Sequence, residues 1–271
     1  MTTPTGQAPP GWYPTPAGTT AWWDGQRWHQ TPPAGTPGYV APTAAAAAPY
    51  KKVATVSALV RTAYLFLALA SAAQIGVSLW RRDLVAKLVA GTSVDAEVAR
   101  NADDLAKLVN IAVLVLAVLG FALAADLCKR MFSNLHGELR SRGLDYTPGW
   151  AAGWWFVPFA NFVKPVQVVR EAWKASSPTE QPGSMAWKVT KAPALIGIWW
   201  AFFIFAAIGA LTTGSGDEDG ALSPTEFQAE MVRTAAVGGL RLMAAVLAVA
   251  VFTSVTKRHL ARARWLGVIT P

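Results

Sequence analysis

LVNIAVLVLAVLGFALAA, residues 108–125, is a run in which Asn110 is the only strongly polar side chain. As a helix rising 1.5 Å per residue it covers about 27 Å, close to the ~30 Å hydrocarbon core of a bilayer. Three further apolar runs lie either side of it: Thr62 to Leu79, Ala194 to Thr212 and Ala235 to Thr256. Hydrocarbon offers backbone amides no water, so such runs persist only as helices that satisfy their own hydrogen bonds. The expected fold is all-α membrane: a four-transmembrane-helix bundle with spans at about 56–79, 108–127, 193–212 and 235–256.

Outside the spans the composition changes. The first fifty residues hold ten of the eighteen prolines and almost no charge, whereas residues 53 onward carry every long apolar run. Residues 1–30 are expected to form a small aromatic β module and 31–52 a Pro/Ala-rich disordered linker. Residues 53–257 form the membrane domain and 258–271 a basic cytoplasmic tail. The start, Met-Thr-Thr-Pro-Thr-Gly, has neither a basic region nor an apolar core of the secretory kind, so the first span is expected to direct insertion. The single cysteine, Cys128, forms no intrachain disulfide.

Basic residues flanking spans are retained in the cytoplasm. With the N-terminus inside, sixteen Lys and Arg residues fall on the cytoplasmic side and six outside, and the outer loop at Asp217, Glu218 and Asp219 is acidic. This arrangement predicts a multi-pass protein of the plasma membrane with both termini cytoplasmic. The net charge of +8 is spread over membrane flanks, matching anionic lipid headgroups and not the stripe of a nucleic-acid binder. Membrane lipids are thus the expected partners, and nucleic acid is not.

Near the N-terminus, Asp24-Gly25 between Trp23 and Trp28 is a hairpin signal, because glycine tolerates the positive φ of a tight turn. A two- or three-stranded unit follows, with Trp12, Tyr13, Trp23 and Trp28 as its apolar contacts. His29 stands without partner ligands, so no metal site is expected. The segment Gly11-Trp12-Tyr13-Pro14 with Trp23-Asp24-Gly25-Gln26-Arg27-Trp28 resembles the bacterial domain-of-unknown-function family 2510. Thr15 and Ala21-Trp22 depart from its pattern, which has Asp after the proline and Arg-Tyr before the Trp-Asp. The resemblance implies a small cytoplasmic appendage for interaction, and hence a cytoplasmic protein partner.

Ionisable or strongly polar residues within spans are costly, so each is a candidate functional residue: Arg61, Gln74, Asn110, Asp126 and Arg241. Arg61 and Asp126 sit near the cytoplasmic ends of spans one and two. They either pair with each other, or Arg61 reaches the headgroups while Asp126 pairs with Lys129 or Arg130. Arg241 lies about 9 Å inside span four; either Gln74 and Asn110, toward the same outer leaflet, hydrogen-bond it, or its guanidinium snorkels outward to the interface. Small residues at helical spacing, Ala68, Ala72 and Gly76, Gly120 and Ala124, Ala244 and Ala248, permit close helix packing.

Between spans two and three, residues 150–176 form a Trp-rich segment around Trp150, Trp154, Trp155, Pro158, Asn161, Pro165 and Trp173. Its apolar stretch is broken by proline and too short to span comfortably, so a re-entrant or interfacial segment is expected. Pro165 suits the first turn of a helix lying on the membrane with Val166, Val169 and Trp173 on one face. A fifth span through Trp154 to Val169 is the alternative. Together with Asn134, Glu171-Ala172-Trp173 and Trp199-Trp200, this motif resembles the bacterial domain-of-unknown-function family 4328 over about 55 to 256. Phe162-Val163-Lys164 stands where members carry Leu-Trp-Arg. The resemblance implies a multi-pass membrane protein of unknown activity.

No nucleotide-binding glycine loop, zinc-protease helix or nucleophile elbow occurs, and His136, Glu138 and Asp145 lack ligand spacing. No catalytic, metal or cofactor residues are therefore assigned. The expected role is a membrane-anchored interaction or scaffold protein with an N-terminal recognition module, the alternative being a transporter or channel subunit with a polar path near Arg241 and the Trp-rich loop.

Overall fold

A computed structural model describes residues 11–14, 20–29, 49–213 and 222–270, with the side chains of residues 12–14 and 20 excepted. The chain divides into two compact units, Met1–Ala47 and Ala48–Pro271.

The first unit is a three-stranded antiparallel sheet of β1 (Gly11–Pro14), β2 (Thr20–Trp23) and β3 (Trp28–His29), in that order. Trp23 faces Trp28 in the register, with ring centroids 5.1 Å apart. The turn between them is built as the sequence indicates. Asp24 Oδ1 accepts the backbone N–H groups of Gln26 and Arg27 at 2.7 and 2.6 Å, and Gly25 takes φ 99°. These two bonds and His29 hold the Asp24 carboxyl down at about 2. His29 Nε2 lies 2.5 Å from Asp24 Oδ2, so the histidine is tied to the turn. The side chains of Trp12 and Tyr13 and residues 31–48 of the expected 31–52 linker lie outside the described residues, while Tyr50 and Lys51 at its end pack on the helical unit.

The second unit is helical: α1 (Ala54–Val89), α2 (Ala96–His136), α3 (Pro148–Gly153), α4 (Lys164–Ala175), α5 (Ala194–Leu211) and α6 (Pro224–Trp265). Among the described residues α1, α2, α5 and α6 are long and apolar enough to cross a membrane. This is a membrane protein. α5 fits the apolar run expected for it, but the other three outrun theirs. At 36, 41 and 42 residues they extend about 54 to 63 Å, roughly twice the hydrocarbon thickness. Hydropathy marks only the lipid-embedded part of a helix. The polar ends are fixed by caps instead: Asp95 accepts Glu97 N–H at the start of α2, and Ser223 with Glu226 forms a capping box behind Pro224 at the start of α6. α1 stops where Gly91, at φ 77°, lets Thr92 N–H reach Lys87 C=O and Gly91 N–H reach Leu88 C=O.

α1 and α6 form the central antiparallel pair, with α2 packed on α1 and α5 on α6. The buried stripe of α1, from Val56 through Val60, Tyr64, Leu67 and Ser71 to Ser78, follows helical spacing. Ala68, Gly120, Ala124, Ala244 and Ala248 lie at helix contacts as their size allows. Ala72 and Gly76 face outward, because a strict four-residue step drifts about 40° per repeat off the packed face. The tightest approaches fall elsewhere. A Cβ on Gly209 would sit 2.7 Å from Val237, and one on Gly238 would sit 3.0 Å from Ile75.

Residues 150–176 do not form a fifth span. α3 ends at Gly153, a tight turn covers Ala160–Phe162 behind Phe159 at φ 62°, and α4 starts at Lys164. The expectation that Val166 and Val169 lie on the membrane is corrected: both are buried with Val168, Ala172 and Ala175. α4 packs on α2, α5 and α6, so its apolar face completes the bundle core. What remains exposed is an apolar knuckle of Phe156, Phe159, Phe162 and Val163, with Trp150 beside it.

Candidate functional site

The bundle has two distinguishable ends. The end carrying Tyr50, Asn134 and His259 is the terminal end, and that carrying Arg81, Asp103 and Met231 is the distal end. The loop and α4 join the terminal end.

Four helices line a cavity of about 840 Å³ that reaches from Arg81, Glu230 and Thr234 to Tyr64, Phe121 and Trp199. Its polar part is a relay. Arg241 Nη1 donates to Gln74 Oε1 at 2.7 Å, and Gln74 Nε2 donates to Asn110 Oδ1 at 2.8 Å. Three residues singled out by their depth in the spans therefore belong to one chain of hydrogen bonds across α6, α1 and α2. Near the distal mouth, Arg81 donates to Asp103 through Nε and Nη2 at 2.9 and 2.8 Å, with its guanidinium 5.1 Å from the Phe227 ring centroid. Glu230 pairs with Arg233 at 2.8 Å. Among the described residues Arg241 has no carboxylate within salt-bridge reach.

Toward the terminal end the cavity meets aromatic rings. Phe121 of α2 stacks on Phe203 of α5 at 5.8 Å and meets Trp155 and Phe156 edge-on at 4.9 and 5.9 Å. Trp200 donates its indole N–H to Phe162 C=O at 2.7 Å, tying the loop to α5. Trp155 and Trp199 are wholly buried, and their indole N–H groups have no partner.

The remaining candidates fall elsewhere. Asp126 pairs with Arg130 at 2.8 Å and Arg61 donates to Ser57 C=O, so the two do not meet. Trp150 and Trp154 lie 4.6 Å apart, with Lys164 Nζ 5.4 Å from the Trp154 ring. Trp173 donates to Ser254 Oγ and carries Arg258 over its face at 3.9 Å. Pro165 lies in the first turn of α4, Pro158 is exposed, and Asn161 Oδ1 is buried without a partner.

A polar knot at the terminal end escaped the sequence reading except for Asn134. Lys51 N–H donates to Asn134 Oδ1 at 2.7 Å, and Asn134 Nδ2 returns to Lys51 C=O at 2.9 Å. This fixes the amide's orientation, so the NH₂ is what faces His259 Nε2 at 3.2 Å. Nε2 then accepts, the proton sits on Nδ1, and Ser176 Oγ accepts it at 3.0 Å. The imidazole is therefore neutral. One turn on, Arg262 donates to Ser141 Oγ, Leu139 C=O and Ala175 C=O. A Ser–His pair would ordinarily raise the question of nucleophilic catalysis. Both side chains are fully buried and neither lines the cavity between the four helices or the cleft beside α4, so here the pair joins helices. The available signal was Thr256, His259 and Arg262, three polar residues recurring every three positions on the face of α6 that carries Phe252 and Val255.

Beside the knot, Asp145, Tyr146, Arg170, Glu171, Lys174 and Lys188 surround a cleft of about 290 Å³. Burial pushes the Glu171 carboxyl up to about 7, although Asp145 N–H donates to it at 2.7 Å. Among the described residues no three His, Cys, Asp or Glu side chains gather as a metal site.

A family model described as a domain of unknown function (DUF4328) matches residues 90–257, more than half of the chain. The chain belongs to the DUF4328 family. Its DUF4328 region begins at the α1–α2 turn and runs from α2 into α6 as far as Lys257, including the Trp-rich loop, Asn134 and Arg241. α1, which the sequence resemblance placed inside the family region, precedes the match, as does the N-terminal sheet. No curated protein and no solved structure matches the chain.

Proposed function

We propose that this membrane protein resides in the plasma membrane with both termini cytoplasmic and acts as an anchored interaction or scaffold protein. The observation that carries the reading is the N-terminal sheet: a compact unit separate from the helical body, with Trp22 and Trp28 partly exposed around an Asp24-capped turn. The similarity of residues 10–30 to family 2510 supports the same role for it, recruitment of a cytoplasmic protein. Orientation is supported by the sixteen-to-six bias of basic residues toward the terminal side. We read the protein as a non-enzyme, since the Ser–His pair among the described residues, Ser176 with His259, is buried in the bundle. The test is in-cell photocrosslinking of the intact chain and of a chain lacking residues 1–47. A discrete cytoplasmic adduct that disappears with the deletion is expected; identical adduct patterns would refute recruitment through this module.

A transporter or channel subunit is the second reading, favoured by the Arg241–Gln74–Asn110 relay inside a cavity. Against it, the rings of Phe121, Phe203, Trp155 and Phe156 gather where the cavity meets the terminal end. Solute flux through reconstituted protein, abolished by Arg241→Leu, would establish it over the scaffold role.

A further inference from the structure

α2 and α5 flank the same cavity without packing along each other; they meet through Phe121 and Phe203 at its terminal end. Leu114 and Val118 line the cavity, yet their side chains are largely exposed on the lipid-facing side of the bundle. The cleft therefore opens sideways into the bilayer. Its wall along α2, from Asn110 to Phe121, runs about 16 Å, close to the depth of one leaflet of a ~30 Å core. Val113, Ala117, Ala207 and Ala244 make this part apolar and narrow-walled.

At the polar end of that wall stands Arg241. A guanidinium offers five donors, and here one is used on a neutral amide oxygen. Among the described residues the other charged groups facing the cavity, Arg81 and Glu230, are already in ion pairs with Asp103 and Arg233. The cavity thus presents an uncompensated positive charge about 9 Å inside span four, where an unpaired cation is expensive. A planar fork of this kind suits a phosphate or carboxylate, which could accept two parallel hydrogen bonds.

From a lateral opening, an apolar channel of leaflet length and one unpaired arginine at its end, we propose that the cleft between α2 and α5 binds an anionic amphiphile drawn from the surrounding bilayer. The anionic head sits on Arg241, with Gln74 and Asn110 beside it, and one acyl chain runs along α2 until Phe121 and Phe203 stop it. This occupant satisfies both halves of the site. A zwitterionic lipid brings its own cation to a positive site, and a free anion leaves the apolar channel empty.

The test uses the full chain in neutral detergent, titrated with phosphatidylglycerol or phosphatidylcholine, with bound lipid counted by native mass spectrometry. Phosphatidylglycerol should bind about tenfold or more tightly than phosphatidylcholine, as one charge-assisted contact implies. Arg241→Leu should bring the two to parity, and Arg241→Lys should keep part of the preference. Ala117→Trp, which fills the channel and leaves Arg241 in place, should weaken both lipids at least tenfold. Size-exclusion profiles identify any misfolded variant, and Ala117→Trp decides the matter if Arg241→Leu aggregates. Equal lipid binding by the unaltered protein, or an undiminished preference in Arg241→Leu, would overturn the proposal. So would binding that survives Ala117→Trp and is displaced by inorganic phosphate, which would mark a free-anion site.

Discussion

Asn134 illustrates how one side chain can hold several elements. Its amide closes a two-bond ring with Lys51, the residue leading into α1, and its remaining N–H reaches His259 on α6. Asn134→Leu would leave the N–H and C=O of Lys51 without these partners and the buried imidazole of His259 without its donor. A loss of about 3 kcal/mol is expected, read as a lower unfolding temperature in detergent. His259→Leu, which leaves Lys51 paired, should cost less. Glu171 makes the opposite kind of contribution. Its folded-state value of about 7 lies above the ordinary 4.5, so protonation is favoured by folding. Its stabilising effect is complete below about 4.5 and disappears as pH rises through about 7. Thermal unfolding compared at pH 5 and pH 8 should show a larger drop for the unaltered protein than for Glu171→Gln. Equal drops would remove Glu171 from the pH response. Neither role was legible beforehand, because burial of a loop-facing carboxylate or of a helix-end histidine depends on partners dozens of residues away.

At the level of elements, glycine positions separate packing from mere composition. Gly209 touches Val237 so closely that Gly209→Leu must push α5 away from α6, for about 1 to 3 kcal/mol. Gly76→Ala should be harmless or slightly stabilising, since nothing lies near the added carbon and alanine favours helix. Comparing the two unfolding temperatures checks the assignment of faces. The four spans were legible because lipid requires long uninterrupted apolar runs. The helix ends were not, since caps such as Asp95 and Ser223 lie ten or more residues beyond the apolar run. α4 was legible as a helix from Pro165, yet its burial was missed. Its alternation of Val166, Val168, Val169 and Ala172 fits a membrane surface and a protein groove equally well, and only the neighbours decide.

For the whole molecule, the polar relay could be anticipated as far as depth allows: Arg241, Gln74 and Asn110 share a level in the bilayer, and the bundle turns them toward one cavity. The cavity itself could not, because it arises from where α2 and α5 fail to meet. Topology is testable at the same scale. Cysteine introduced at Thr92 and at Gln181, both exposed, should be labelled by an impermeant reagent from opposite sides of the membrane, Thr92 from outside. Labelling of both from one side would contradict four crossings.

The length of α1, α2 and α6 has a further bearing on what lies beyond the bilayer. Some ten residues of each continue past the apolar run on the distal side, so a mast of three helices stands about 15 Å above the hydrocarbon. Within it the Arg81–Asp103 ion pair joins α1 to α2. Among the described residues, the Ala90–Thr92 turn joins two of these helices at the distal end. The sideways entrance to the cleft stays sheltered below it, within reach of molecules already dissolved in the membrane.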